Sequence, residues 1–171
     1  MSHHAPHLDG LDQPTRNHAS VTWRDWALGG TAALSLYSAG VAWQAQVVSY
    51  PLFGEVSAAE FPAYHLAYNA AIPLVVIVPG FLSFLASAAL PWTRPADVST
   101  RLAALVSATG LAAVASTVLW AIPLHDRLDR IGQDAATLDS LLHANGVRTA
   151  AITLGAGALV WSLLRRGARR A

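Results

Sequence analysis

Three groups of side chains in this chain have the types and spacing of a chemical site. His65 and Asn69 stand four residues apart, which places them on one helix face, with Tyr64 and Tyr68 on the adjacent one. An imidazole beside an amide can serve as a general base or hold a metal; a water-satisfied interfacial Tyr/His belt is the alternative. His125 follows Pro123 and precedes Asp126, and it can meet His65 if their helices end on the same side. Two imidazoles do not define a metal site, and no His-x-x-His, Glu-x-x-His or cysteine spacing adds to them, so no metal ligand is assigned. The third group is Asn145, Arg148 and Thr149, on the same helical stripe as Leu138 and Leu141. An Arg at the start of an apolar helix can snorkel to headgroups, but this one shares an inward stripe with an amide. Buried there, it needs a partner: Asp126, Glu60, carbonyls freed by Pro123, or an anionic substrate. A structural clasp and a substrate-facing pair are both open readings.

Further candidates surround these. Gln44, in line with Tyr37 and Val48, either bonds between helices or lines a pocket. Trp120 opens the polar stretch 120–149, where most of the internal charge sits beside apolar sequence. The sequence thus gives His65, His125, Asn145 and Arg148 as candidate catalytic residues. It gives Tyr64, Tyr68, Asn69, Gln44 and Trp120 as candidate substrate contacts. His143 falls off the inward stripe and is expected in solvent. No nucleophile elbow, phosphate-binding Gly loop or paired intramembrane carboxylates occur, which argues against hydrolases, nucleotide enzymes and proton-coupled transport.

Those residues belong to a chain whose composition is that of a membrane protein. Of 171 residues, 54% are hydrophobic and 12% charged, half the charge of a soluble domain, and mean hydropathy is +0.40. A net charge of +1 without a basic aromatic stripe gives no reason to expect nucleic acid. Cysteine is absent, which excludes disulfides and thiolate chemistry.

The elements that must position the site are four apolar segments, about 26–48, 68–90, 102–124 and 147–164, each near the ~20 residues that cross a hydrocarbon core. They are expected to be helices of an all-α, integral membrane, up-down-up-down bundle spanning residues 23–166. A disordered tail precedes it over 1–22, with His3, His4, His7 and His18 as weak metal candidates, and a basic tail follows over 167–171. Arg16, Arg24, Arg94, Arg101 and the C-terminal arginines share one side, which places both termini in the cytoplasm and the lipid bilayer of the cytoplasmic membrane around the bundle. Ser57 to Glu60 reads as a capping box, starting the second helix near Ser57, with Pro62 awkwardly placed. Pro73 and Pro79 are tolerated kinks, Pro123 kinks or ends the third helix, and the fourth starts early, near Asp134.

The four-span plan, with Pro123-Leu-His-Asp-Arg-Leu128 and then Leu142-His-Ala-Asn145-Gly-Val-Arg148-Thr149, resembles the anthrone oxygenase-like family of small membrane proteins. Tyr50-Pro-Leu-Phe53 and Phe61-x-x-Tyr64-His65 resemble a bacterial branch of it. The resemblance covers about residues 26–164. It implies oxidation of an activated aromatic methylene by dioxygen without an obvious organic cofactor. His65 or His125 would act as base, and Arg148 with Asn145 would stabilise an enolate. The cofactor and oligomeric state stay open, and a non-enzymatic scaffold or lipophilic-ligand binder is the alternative; in either case the partners are lipid and a hydrophobic small molecule.

Overall fold

The computed structural model describes residues 20–170; the histidine tail foreseen at the N-terminus lies outside them, except for Ser20 to Thr22. All the secondary structure among the described residues is helical, arranged as four long rods. The first runs through Trp23–Gln44, a π-helical turn Ala45–Ser49 and Tyr50–Phe53. The second comprises Phe61–Ile72, a π turn Pro73–Ile77 and Val78–Thr93. The third comprises Thr100–Ser116, a π turn Thr117–Ala121 and Ile122–Ile131. The fourth is one uninterrupted helix, Ala135–Arg170. The first and third rods each pack on the second and the fourth.

Each start and stop has a local cause. Thr22 and Asp25 form a reciprocal capping box at the first rod. The Thr22 amide and hydroxyl, and then Arg166, hold the Asp25 carboxyl well below its ordinary range. Ser57 and Glu60 make half of the expected capping box: the Glu60 N–H donates to Ser57 Oγ at 3.3 Å, and the carboxylate accepts from the Ser57 hydroxyl, Oγ to Oε2 at 2.6 Å, in place of the Ser57 amide. They close a turn, however, and the second rod begins at Phe61 rather than Ser57. That shift puts Pro62 in the first helical turn, where its missing N–H costs nothing. The third rod is not ended by Pro123; it continues to Ile131 and stops at Gly132, whose φ of 78° suits glycine alone. Asp134 then caps the fourth rod, its carboxyl held down by the Thr137 hydroxyl and amide.

The π turns share a sequence cause. Each ends two residues before a proline: Pro51, Pro79 and Pro123. The amide just before each proline reaches back five residues, from Tyr50 to Ala45, Val78 to Pro73 and Ile122 to Thr117. A proline has no N–H for the carbonyl four residues back, and its ring presses on that carbonyl. Widening the turn absorbs the clash without ending the helix. Neighbouring rods satisfy two of the freed carbonyls. Tyr37 donates its hydroxyl to Val75 at 3.1 Å, opposite Pro79, and Ser107 donates to Ser87 at 2.7 Å, opposite Pro91.

Between the rods the packing is close. Gly155 faces Thr109, where an added Cβ would lie 2.5 Å from Oγ1, and Gly110 faces Ser87, where it would lie 3.0 Å from Cβ. One apolar cluster joins Leu28, Leu90, Val98, Val106 and Leu159. A second joins Tyr50, Phe53, Phe61, Leu128 and Leu141. Beyond the first cluster, Arg166 bridges Asp25 and Asp97 (Nε to Oδ2 of Asp97, 2.8 Å), tying together the start of the first rod, the middle loop and the end of the fourth. Beside the second, Gln133 donates to the carbonyls of Phe53 at 2.9 Å and Val56 at 2.8 Å.

Three helices are long and apolar enough to cross a membrane: Phe61–Thr93, Thr100–Ile131 and Ala135–Arg169. Their outward faces carry bare hydrocarbon; Leu74 is 78% exposed and Leu119 77%.

Candidate active site

The π turns ring one cavity of about 340 Å³. Its lining draws Gln44 and Ala45 from the first rod, Pro73 and Val76 from the second, and Thr117 and Ala121 from the third. An inserted residue rotates everything after it by ~100° relative to an unbroken α-helix. Tyr50 and His125, which follow the first and third π turns, both reach the cavity wall in that altered register.

Along one side runs a chain of hydrogen bonds. Asp129 Oδ1 lies 2.6 Å from His65 Nδ1, His65 Nε2 lies 2.9 Å from His125 Nδ1, and His125 Nε2 lies 3.3 Å from the Tyr50 hydroxyl. With an ionised Asp129 and neutral imidazoles, one proton arrangement satisfies every link. Tyr50 donates to His125, His125 to His65, and His65 to Asp129. Asn69 fixes the far end by donating to Asp129 Oδ2 at 3.0 Å.

Aromatic rings shield this chain. Phe61 stacks on His65 with centroids 5.3 Å apart, and Phe53 meets His65 edge-on at 5.5 Å. Tyr68 stacks on His125 at 6.2 Å and is itself met edge-on by Phe53 at 4.9 Å. His65, Phe53 and Phe61 are wholly buried, so the middle of the relay is sheltered from water, while Asp129 at one end is exposed and His125 and Tyr50 at the other face the cavity.

Across the cavity stands Arg148, 8% exposed. Its Nη2 donates to Asn145 Oδ1, and Asn145 Nδ2 donates to Gln46 Oε1 at 2.7 Å and to the Ala42 carbonyl at 3.1 Å. Of the partners foreseen for Arg148, the protein groups Asp126, Glu60 and a carbonyl freed by Pro123 do not take that role; the amide on its own helix does. The reason is reach: Asn145 lies three residues earlier on the same stripe, so the guanidinium is met before any loop carboxylate. Arg148 Nε is buried with no protein partner among the described residues, and so is Asn69 Oδ1. Both residues line the cavity, although these two atoms are themselves covered.

Of the sequence-derived candidates, His65, His125, Asn69 and Tyr68 form one cluster, with Asn145 and Arg148 opposite. Gln44 lines the cavity while bonding Ser49 at 2.9 Å. Tyr64 packs edge-on to Phe53 at 5.7 Å and Trp120 is 42% exposed; neither lines the cavity. His143 is exposed and bonds the Asp139 carbonyl at 2.8 Å. The sequence reading gave no site role to Asp129, nor to Tyr50, Phe53 and Phe61, which it named only as motif residues. Asp129 did carry a signal, because it lies four residues after His125 and so on the same helix face.

Among the described residues, no group of three or more His, Cys, Asp or Glu side chains is placed to hold a metal ion. No family model, curated protein or solved structure matches the chain.

Proposed function

We propose that the chain is a four-span protein of the cytoplasmic membrane that oxidises a hydrophobic aromatic substrate, of the anthrone or polyketide type, with dioxygen. The apolar outward faces support the membrane setting, and exposed Leu36, Tyr37, Val47 and Val48 extend it to the first rod. The clasp of Arg166 with Asp25 and Asp97 gathers the start of the first rod, the end of the fourth and the middle loop at one Arg-rich end. An up-down-up-down course with that end cytoplasmic accounts for it.

One observation carries the enzymatic reading: the relay of Asp129, His65 and His125 opens on the same cavity as a buried Arg148 with an unpartnered Nε. His125 Nε2 takes a proton from the activated methylene as the Tyr50 hydroxyl turns aside. The Nδ1 proton of His125 moves to His65 Nε2, and that of His65 to Asp129. The electron pair left on the substrate forms an enolate, whose oxygen receives a guanidinium N–H of Arg148, while the Asn69 amide bonds a substrate hydroxyl. Dioxygen, soluble in the apolar surroundings, accepts electrons from the enolate carbon and bonds to it as a peroxide. The peroxide recovers the proton, and loss of water with the second methylene hydrogen leaves a carbonyl. The methylene and one dioxygen thus become a carbonyl and one water.

The test uses the protein in lipid nanodiscs with an anthrone, following dioxygen uptake and quinone absorbance. His125→Phe, kept only if its thermal melt matches wild type, is expected to lose ~10²–10⁴-fold in rate. An unchanged rate overturns the mechanism. Saturable binding of the anthrone with no dioxygen uptake by the wild type would instead make the chain a lipophilic-ligand binder.

A further inference from the structure

A second cavity, of about 140 Å³, adjoins the first. The two share Val41, Val76, Ile77, Thr117, Ile122 and Arg148, so Arg148 stands at their junction. They differ in chemistry. The first presents His125, Asp129, Tyr50 and Asn69, whereas the second is walled mainly by Val75, Phe81, Phe84, Val114, Val118 and Ile152. Its rim faces the outside of the bundle: Val75 is 49% exposed, Phe81 53% and Val118 52%. The π turn Pro73–Ile77, which borders both cavities, buries none of its residues. In a bilayer that gap opens sideways into hydrocarbon.

Two features at the junction define what fits. Arg148 is buried, has no carboxylate ion-pair partner among the described residues, and keeps Nε unbonded. A cation so placed calls for an anion. Beyond it, the second cavity is mostly apolar, with the hydroxyls of Tyr37, Ser38, Ser83 and Thr117 and small residues such as Gly80 and Gly110 in its wall, and no further charge.

We propose that this paired cavity binds an amphipathic anion drawn laterally from the bilayer, its anionic oxygen at Arg148 and its apolar arm in the second cavity. This goes beyond the oxidation proposed above, shares Arg148 with it, and stands on binding alone. It confers a polarity on the ligand. The head lies towards His125 and Tyr50, and the tail lies between the first, second and third rods.

The probe is a 16-carbon fatty acid with a mid-chain diazirine, used beside its methyl ester on the protein in phosphatidylcholine nanodiscs. Crosslinks are mapped by mass spectrometry. Ser38 and Ser83 line the second cavity and are each only 7% exposed, so label there reports the cavity and not the lipid-facing surface. The acid is expected to label them saturably, at about tenfold lower concentration than the ester. Arg148→Met removes that preference. Gly80→Leu, at a position with nothing within 4 Å of an added Cβ, fills the cavity and lowers acid labelling by about tenfold, because it denies burial to a few methylenes. Equal labelling by acid and ester in the wild type overturns the proposal, and so does wild-type labelling in Gly80→Leu. Anthrone oxidation is read separately: its absence with this labelling intact sinks the oxidation alone, and its presence with acid and ester equal sinks the anion site alone.

Discussion

Asn145 holds more of the site together than its size suggests. It accepts from Arg148 while donating to Gln46 and the Ala42 carbonyl, so it joins the first and fourth rods and aims the guanidinium. Asn145→Ala leaves a buried cation and the part-buried amide oxygen of Gln46 without these partners, and the expected loss is ~3 kcal/mol, read from thermal or denaturant melts in detergent. A melt within experimental scatter of wild type would mean that Arg148 finds another partner at no cost. Asp129→Asn tests the other wall. An amide cannot take up the relayed proton, so kcat is expected to fall by ~10²-fold or more while KM changes little. A change confined to KM would make Asp129 a binding group. At this scale the sequence shows residue types well. Two histidines, an amide pair and an Arg on an apolar stripe stand out. Tyr50 and Phe53 stand out only as part of a motif and not as site residues, because an aromatic at a helix end is the ordinary content of a membrane interface.

At the scale of the helix, three prolines decide where the site residues point. Each freed carbonyl needs a donor or a widened turn, and the rods use both. Tyr37→Phe removes the hydroxyl that reaches Val75, with an expected loss of ~1 kcal/mol. In a Pro79→Ala background the restored amide can serve that carbonyl, so the same change should cost less. A double-mutant cycle of melts measures this, and equal losses in both backgrounds would separate the hydroxyl from the proline. The prolines were visible in the sequence, but their outcome was not. A proline can end, kink or widen a helix, and the choice depends on whether a neighbour supplies a donor. Helical spacing counted through the widened turns before Pro51 or Pro123 therefore drifts by one residue, as it does between Gln44 and Val48.

For the whole molecule, the stability of the assembly rests on close approach and on the polar clasp at its far end. Gly155→Ala would push a methyl into Thr109 and separate the third and fourth rods, with an expected cost of ~2 kcal/mol. Gly157→Ala, which meets nothing within 4 Å, is expected to be neutral or mildly stabilising. Equal melts for the two would show that the close contact yields freely. Asp25 gives the molecule an acid limit. Its carboxyl is depressed below the ordinary 3.8, first by the Thr22 amide and hydroxyl and then by Arg166. Its contribution is therefore complete above that ordinary value and disappears as pH falls through the lower folded one. Asp25→Asn should cost ~2 kcal/mol at neutral pH and flatten the fall in melting temperature below pH ~4. A parallel offset at every pH would assign the acid limb to other groups.

The sequence by itself determined that the chain is helical, where three of its four expected apolar spans lie and that the fourth helix is continuous, because hydropathy and helical period are local properties written along one strand of chain. It also marked the polar residues that apolar surroundings cannot leave unsatisfied. Only the tertiary structure decided that Asp129 closes the histidine relay, that Arg148 leans on Asn145, and that two cavities meet at its guanidinium. Those facts depend on which faces of separate helices come together. That in turn depends on three inserted residues whose effect on register appears only once the helices are packed.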